Sequence, residues 1–167
     1  MLPEPWLRGP LESTPAFIAP VLYSFRQARE DIAQHTAGLS TEQIWATPYG
    51  FGAVGFHVRH IGRSVDRLTA YLMGQQLSAS QWSALDSEHE GGASRDELLG
   101  ELSGHLDRAE ALIRTIDPAA LTEVRTVGRK KMPATVIGLL THIAEHTQRH
   151  VGQAISAAKL ARVACGG

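Results

Sequence analysis

The sequence lacks the features of a secreted, membrane-spanning or nucleic-acid-binding protein. Its one cysteine, Cys165, excludes a disulfide framework and fits a reducing compartment. No run approaches the roughly 20 apolar residues that cross a bilayer. The N-terminal stretch has neither the basic head nor the apolar run of a signal peptide. A formal net charge of -1 gives no electrostatic reason to expect DNA or RNA binding. We therefore expect a cytoplasmic protein with no membrane and no nucleic-acid partner.

The single cysteine is also a poor candidate for a catalytic nucleophile. Covalent catalysis needs a base held within hydrogen-bond reach of the thiol, and Cys165 lies in a tail, residues 160–167, that we expect to be frayed. The sequence is instead rich in histidine, with eight among 167 residues. Hydrophobic residues make up 43% and charged residues 20%, a balance typical of a globular domain with a real core. The simplest organisation is one domain over residues 1–167.

Four long segments with an apolar period of 3.6 residues follow an extended, proline-containing lead-in over residues 1–14. The third segment opens with a capping box, in which Ser94 and Glu97 satisfy each other's backbone amides. We expect a loop over residues 119–133 and no β-strand. The expected bounds of the four helices are about 19–38, 53–73, 94–117 and 135–159. These segments predict an all-α fold, a four-helix bundle that buries one apolar stripe from each helix.

Three histidines, His142, His146 and His150, recur every four residues in the fourth segment. Side chains at this spacing stack on one face of a helix. A pair of them can direct two ring nitrogens at one metal ion, each about 2.0–2.1 Å away for zinc. Such a site needs a further ligand from another helix, and the second segment offers His57 and His60.

Two histidines of the fourth segment and one of the second would make a site with three nitrogen ligands. Three protein ligands leave a position for water or substrate, which is the arrangement of catalytic zinc. The alternative is that these are separate histidines on half-exposed helix faces. A zincin protease is not supported, because the H-E-x-x-H motif is absent. Glu145 is rotated about 100° from His146 on a helix, and we expect it at the surface.

The stretch His142-Ile-Ala-Glu-His146-Thr-Gln-Arg-His150-Val-Gly-Gln153 resembles the last helix of the DinB-like (YfiT-like) family, whose members are small four-helix bundles with a divalent metal on three histidines. The family motif often reads H-x-x-x-H-x-x-x-H-R-G-Q, and its second and third histidines bind metal. They fall on His146 and His150. The helix-two histidine of the family, typically followed by an aliphatic residue, falls on His60. The resemblance covers nearly the whole chain and departs at Val151, where arginine is common.

Three further residues, His57, His142 and Gln153, lie one turn from a proposed ligand. They would orient the ligands or line the pocket, and the alternatives are polar rim positions or helix packing. No residue identifies itself as a catalytic acid or base. A basic cluster precedes the fourth helix. We interpret it as a solvated loop, with recognition of a carboxylate or phosphate as the alternative; its members are Arg125, Arg129, Lys130 and Lys131.

The resemblance implies a metal-dependent enzyme acting on a small-molecule substrate. Members of the superfamily include thiol-dependent transferases and a maleylpyruvate isomerase, which use thiols such as bacillithiol, mycothiol or glutathione. We therefore expect a divalent ion, zinc or nickel first and manganese or iron second, and a low-molecular-weight thiol as cosubstrate. The alternatives are a hydrolase that uses metal-bound hydroxide and a non-catalytic metal-binding stress-response protein. A homodimer through an outer helix face is a further expectation.

Overall fold

The computed structural model describes residues 3–165, which form six α-helices and one two-stranded antiparallel sheet. The helices are α1 (Ala19–His35), α2 (Thr41–Trp45), α3 (Val54–Leu72), α4 (Ala79–Asp86), α5 (Arg95–Ile113) and α6 (Val136–Ala164). The strands are β1 (Val124–Val127) and β2 (Met132–Thr135). Single 3-10 turns cover Pro5–Leu7, Pro48–Gly50 and Pro118–Ala120. The predicted helical fold is confirmed, with the small sheet as an addition.

The four long helices α1, α3, α5 and α6 make the bundle. Helix α3 packs against both α5 and α6, and α6 packs also against α1. Every long helix contributes fully buried side chains to one core, among them Phe25, Ile61, Leu106 and Ile143. Burying one such side chain contributes roughly 1.5–3 kcal/mol. The helices formed by residues 3–165 are each too short or too polar to span a bilayer.

Local signals in the sequence account for where the helices begin. The predicted capping box is present, because the Ser94 hydroxyl accepts from the Glu97 amide and the Glu97 carboxylate accepts from the Ser94 amide. The same device starts α2 at Ser40 and α4 at Ser78. Helix α6 begins after Thr135, whose hydroxyl accepts from the amide of Gly138. Each cap satisfies amides that the first turn of a helix leaves without a partner.

The expectation of a loop over residues 119–133 was wrong, because β1 and β2 pair as a hairpin there. Val124 lies opposite Thr135, and Val127 lies opposite Met132. The strands are only four residues long and largely exposed, so they show no clear apolar alternation. Pro133 lies within β2, and proline is normally evidence against a strand. The pairing therefore depends on tertiary support and not on strand propensity.

The basic cluster is also not a freely solvated loop. The Arg125 side chain donates from Nε to the carbonyl oxygen of Leu72, 3.0 Å away, which ties β1 to the end of α3. The guanidinium carbon of Arg129 lies 4.4 Å from the ring centroid of Trp82, a cation–π contact with α4. Two members of the cluster thus hold the hairpin against the bundle.

The two ends of the chain are more ordered than expected. Residues 160–164 continue α6 instead of fraying, since Ala161 is fully buried and Arg162 donates to the carbonyl oxygens of His35 and Ala37. In the lead-in, the Tyr23 hydroxyl donates to the carbonyl oxygen of Gly9. Residues 1, 2, 166 and 167, which belong to the predicted lead-in and tail, lie outside the described residues.

Truncating a core side chain of α5 should destabilise the bundle strongly. Leu106 is 0% exposed, so Leu106→Ala leaves a cavity and should lower the free energy of unfolding by about 2–5 kcal/mol. The matched control is Leu112→Ala on the same helix, where the leucine is 44% exposed and the expected loss is about 0.5 kcal/mol. Urea denaturation followed by circular dichroism measures both. Equal losses for the two variants would contradict this core assignment.

Candidate metal centre

Three imidazoles from two helices converge at one point of the bundle. His60 comes from α3, and His146 and His150 come from α6. One ring nitrogen of each lies within 4.8 Å of the corresponding nitrogen of the other two. The Nε2 atoms of His60 and His146 are 3.0 Å apart. The structure therefore brings together the three residues that the sequence predicted as metal ligands.

The cluster forms because α3 and α6 lie side by side with their histidines at the edges of their buried stripes. His60 precedes Ile61, which is fully buried, and His146 precedes Thr147, which is also fully buried. The four-residue spacing of His146 and His150 places their ring centroids 4.6 Å apart. All three rings are partly buried. Helix packing thus places them between the dry core and the solvent.

Burial changes the protonation of two clustered rings and of His57 beside them. It lowers the pKa of His146 to about 4 and the pKa of His150 to about 3, and the neighbouring His60 lowers both further. Burial likewise lowers the pKa of His57 to about 4. Near neutral pH these imidazoles are uncharged, and a neutral imidazole carries the lone pair that a metal ion needs.

The donor set fits a divalent cation. Two nitrogen ligands about 2.05 Å from a tetrahedral ion lie about 3.3 Å apart, close to the 3.0 Å between the Nε2 atoms of His60 and His146. Without an ion, two such nitrogens can share only one proton. The other ring nitrogen of His146, Nδ1, is buried and has no hydrogen-bond partner among residues 3–165. Three imidazole nitrogens suit zinc, nickel, copper or iron better than magnesium or calcium.

A buried carboxylate that the sequence reasoning missed contacts one of these rings. Glu88 lies in the turn after α4 and is 3% exposed. Its Oε2 atom lies 2.7 Å from Nδ1 of His60, and its Oε1 atom accepts from Arg67 at 2.6 Å. Burial raises the pKa of Glu88, but the hydrogen bonds from His60 and Arg67 outweigh it and the pKa is lowered overall. The signal in the sequence was indirect: arginines on a buried helix need acceptors.

His57 lies against the cluster, as the sequence suggested for a residue one turn from a ligand. It is 7% exposed, and its Nδ1 atom lies 3.2 Å from Nδ1 of His150. On its other side the ring fits closely against Gly52, where an added Cβ would lie 2.8 Å from Nε2 of His57. His57 therefore contacts one clustered ring, His150, while Glu88 contacts another, His60.

The other two predicted pocket residues lie further out. His142 is exposed, its Nδ1 atom is 2.8 Å from Oε1 of Glu145, and its ring centroid is 5.3 Å from that of His146. Gln153 is exposed on α6. Glu145 is exposed too and also accepts from Arg149. His142 thus forms the outer edge of the histidine stack, and Glu145 is the surface residue that the sequence indicated.

A separate groove of about 820 Å³ opens between α1 and α6, away from the clustered histidines. Its lining is mostly apolar and includes Phe17, Val21, Ile137 and Leu140. Glu145 borders it. None of the three clustered histidines lines this groove, so the metal-binding chemistry lies elsewhere, at the histidine cluster.

Comparison with known proteins agrees with this architecture. A family model described as the DinB superfamily matches residues 24–154. The match begins within α1 and ends within α6, so it includes every histidine of the cluster and Glu88. Val151, where the family often has arginine, is buried in the core here. No curated protein matches the chain.

Adding a methyl group at Gly52 should disturb the cluster through His57. In Gly52→Ala the new Cβ would lie 2.8 Å from Nε2 of His57, so the ring has to shift and its contact with His150 changes; overpacking of this kind costs about 1–3 kcal/mol. The control is Gly152→Ala in α6, where no atom of another element in the described part of the chain lies within 4 Å of the added Cβ and the helix should gain about 0.5–1 kcal/mol. Urea denaturation and the NMR signals of the histidine rings report both effects. Unshifted His57 and His150 signals in Gly52→Ala would disprove the contact.

Proposed function

The chain belongs to the DinB superfamily, and from this premise we propose that it is a metal-dependent enzyme whose divalent ion is held by His60, His146 and His150. The observation that carries the proposal is the convergence of three imidazoles from α3 and α6 on one point. Three protein ligands leave room in the coordination sphere for a further molecule. Zinc or nickel is the first choice of ion, and manganese or iron the second, because the donor set is all imidazole.

Each residue around the cluster has a separable task in this proposal. A bound divalent ion would supply Lewis acidity and lower the pKa of a coordinated thiol or water. His60, His146 and His150 hold it, while Glu88 and His57 orient two of the rings through their second nitrogens. Ligand histidines in metal sites usually have such partners. The bundle core behind them keeps water away from one side of the site.

The reaction we propose is transfer of a low-molecular-weight thiol to an electrophilic small molecule. The thiol releases its proton to solvent, its sulfur forms a bond with an electrophilic carbon, and the leaving group departs with its bonding electrons. The loop beside His57 offers apolar surface for such a substrate. Tyr49 is 81% exposed and Phe51 is 55% exposed, close to Gly52 and to α6. Exposed aromatic side chains favour a substrate with an apolar part.

Three further expectations accompany this proposal without adding to its support. The substrate is a small molecule, the protein is cytoplasmic, and two copies pair through an outer helix face. A single exposed cysteine, Cys165, is compatible with a reducing compartment. These three expectations remain predictions.

The metal content of the protein should depend on His60, His146 and His150 and not on a histidine outside the cluster. Tag-free protein should contain about one equivalent of a divalent metal by elemental mass spectrometry, and His60→Ala and His150→Ala should each lose it because two imidazoles hold an ion weakly. The control is His35→Ala, on α1 and outside the cluster, which should keep the metal. Circular dichroism confirms that each variant is folded. Wild-type protein that stays empty after reconstitution with zinc, nickel and manganese would refute the site.

Thiol dependence should separate the candidate activities. Metal-loaded protein should conjugate electrophiles with bacillithiol, mycothiol or glutathione, and omission of the thiol or the His146→Ala substitution should abolish turnover. The readout is product formation by mass spectrometry. Turnover without any thiol would instead assign the protein as a hydrolase. If no substrate class reacts and His146→Ala only lowers the thermal midpoint, the protein is a non-catalytic metal-binding protein.

A further inference from the structure

We propose that Glu88 is the positioning residue of this site: it holds His60 in the tautomer that carries its proton on Nδ1 and keeps the Nε2 lone pair facing His146. The metal-binding consequence of this inference rests on the proposed function. The tautomer itself does not, because it is a property of the protein without a metal ion.

Each oxygen of the Glu88 carboxylate has a hydrogen-bond partner. Oε2 lies 2.7 Å from Nδ1 of His60, and Oε1 accepts from Nη1 of Arg67 at 2.6 Å. A carboxylate that is 3% exposed would be very costly to bury without such partners. Arg67 alone would neutralise its charge. The other oxygen is within hydrogen-bond distance of His60, so the carboxylate bridges Arg67 and His60.

Three arginines hold the segment that carries Glu88. Arg59, Arg63 and Arg67 recur every four residues and lie on one face of α3. Arg63 donates to the carbonyl oxygen of Ala84 at 2.6 Å and to Oγ of Ser87 at 2.9 Å. This series runs along the helix that also carries His60.

The far end of the segment is held in the same way. Arg59 donates to the carbonyl oxygen of Glu90. The ring of His89 stacks on Phe56 with centroids 4.2 Å apart, and Phe56 stacks in turn on His60 at 5.4 Å. Residues 84–90 are thus held against α3 at both ends and above His60. The arginines that hold this segment lie on the same helix as His60, so the Glu88–His60 contact is set by α3 and the segment packed on it and not by how α3 and α6 pack.

The tautomer follows from the hydrogen-bonding capacity of the two groups. An ionised carboxylate only accepts hydrogen bonds, so Nδ1 of His60 has to carry a proton. In a neutral imidazole the other nitrogen, Nε2, then has the lone pair. That nitrogen is the one 3.0 Å from Nε2 of His146. A carboxylate on the second nitrogen also makes the ring a stronger metal ligand.

The test replaces Glu88 by an isosteric amide. In Glu88→Gln the single amide oxygen faces Arg67, the stronger donor, and the amide NH₂ faces His60. His60 Nδ1 then has to accept, so the proton moves to Nε2 and the lone pair leaves the cluster. Long-range ¹H–¹⁵N NMR of metal-free protein at about pH 8, where imidazoles are neutral, reads the tautomer directly. We expect Nδ1–H in the wild type and Nε2–H in the variant, with zinc affinity in chelator competition lowered about 10–100-fold.

Two further variants separate positioning from a structural role. Glu101→Gln is the matched control, because Glu101 is also partly buried and accepts from Arg63 at 2.7 Å but lies outside the histidine cluster. It should change neither tautomer nor zinc affinity. The double variant Arg67→Met with Glu88→Gln frees the amide oxygen for His60 and should restore the Nδ1–H tautomer and most of the affinity. It also serves if Glu88→Gln alone fails to fold.

The outcomes distinguish this inference from the proposed function. If the wild type binds zinc but Glu88→Gln binds it equally well with an unchanged tautomer, the positioning role is refuted and the metal site stands. If the wild type binds no metal, the proposed function fails, and the NMR measurement still decides whether Glu88 sets the His60 tautomer. A wild type in which His60 carries its proton on Nε2 would refute the inference outright.

Discussion

The packing of α3 between α5 and α6 is the constraint on which the rest of the structure depends. This helix contributes Ile61 to the centre of the core, and it also carries His57 and Arg59, which are buried with it. Buried polar groups need hydrogen-bond partners, because their hydration is lost and nothing apolar replaces it. The arginines find partners in the segment over residues 84–90 and in Glu101, and the histidines find theirs on α6 and in Glu88. One helix therefore organises both the core and the candidate metal centre.

The candidate site combines a desolvated environment with opposing lone pairs. Burial favours the neutral form of His146 and His150, which removes charge repulsion but leaves ring nitrogens facing each other at close range. The Nδ1 atom of His146, which has no hydrogen-bond partner among the described residues, adds to the cost of the arrangement. A cluster of this kind is expensive for folding and favourable for binding a cation. A cost in folding stability that favours ligand binding is typical of functional sites.

The contacts around the cluster divide into two kinds. Glu88 reaches His60 from a segment fastened to the same helix, so this contact is set locally. His57 on α3 reaches His150 on α6, so that contact depends on how the two helices pack.

The sequence by itself determined the elements and the faces they present. The 3.6-residue period placed four long helices, the capping box placed the start of α5, and the four-residue spacing put His146 and His150 on one face. These features are local, so they can be read without knowing the fold. The choice of His60 over His57 as a ligand followed from resemblance to a family, since both histidines of α3 face α6 and no local rule says which of them completes the site. The role of these three residues as metal ligands is still a prediction.

Only the tertiary structure decided which distant groups meet. The Glu88–His60 contact joins residues 28 positions apart, and the His57–His150 contact joins residues 93 positions apart. The geometry of each contact is set by how the intervening elements fold. The hairpin of β1 and β2 forms although its strands have weak propensity, because Arg125 and the bundle support it. The last turns of α6 stay helical because Ala161 is buried against the bundle. In each case the deciding energy is burial or a long-range hydrogen bond, and a sequence pattern carries no direct signal of either.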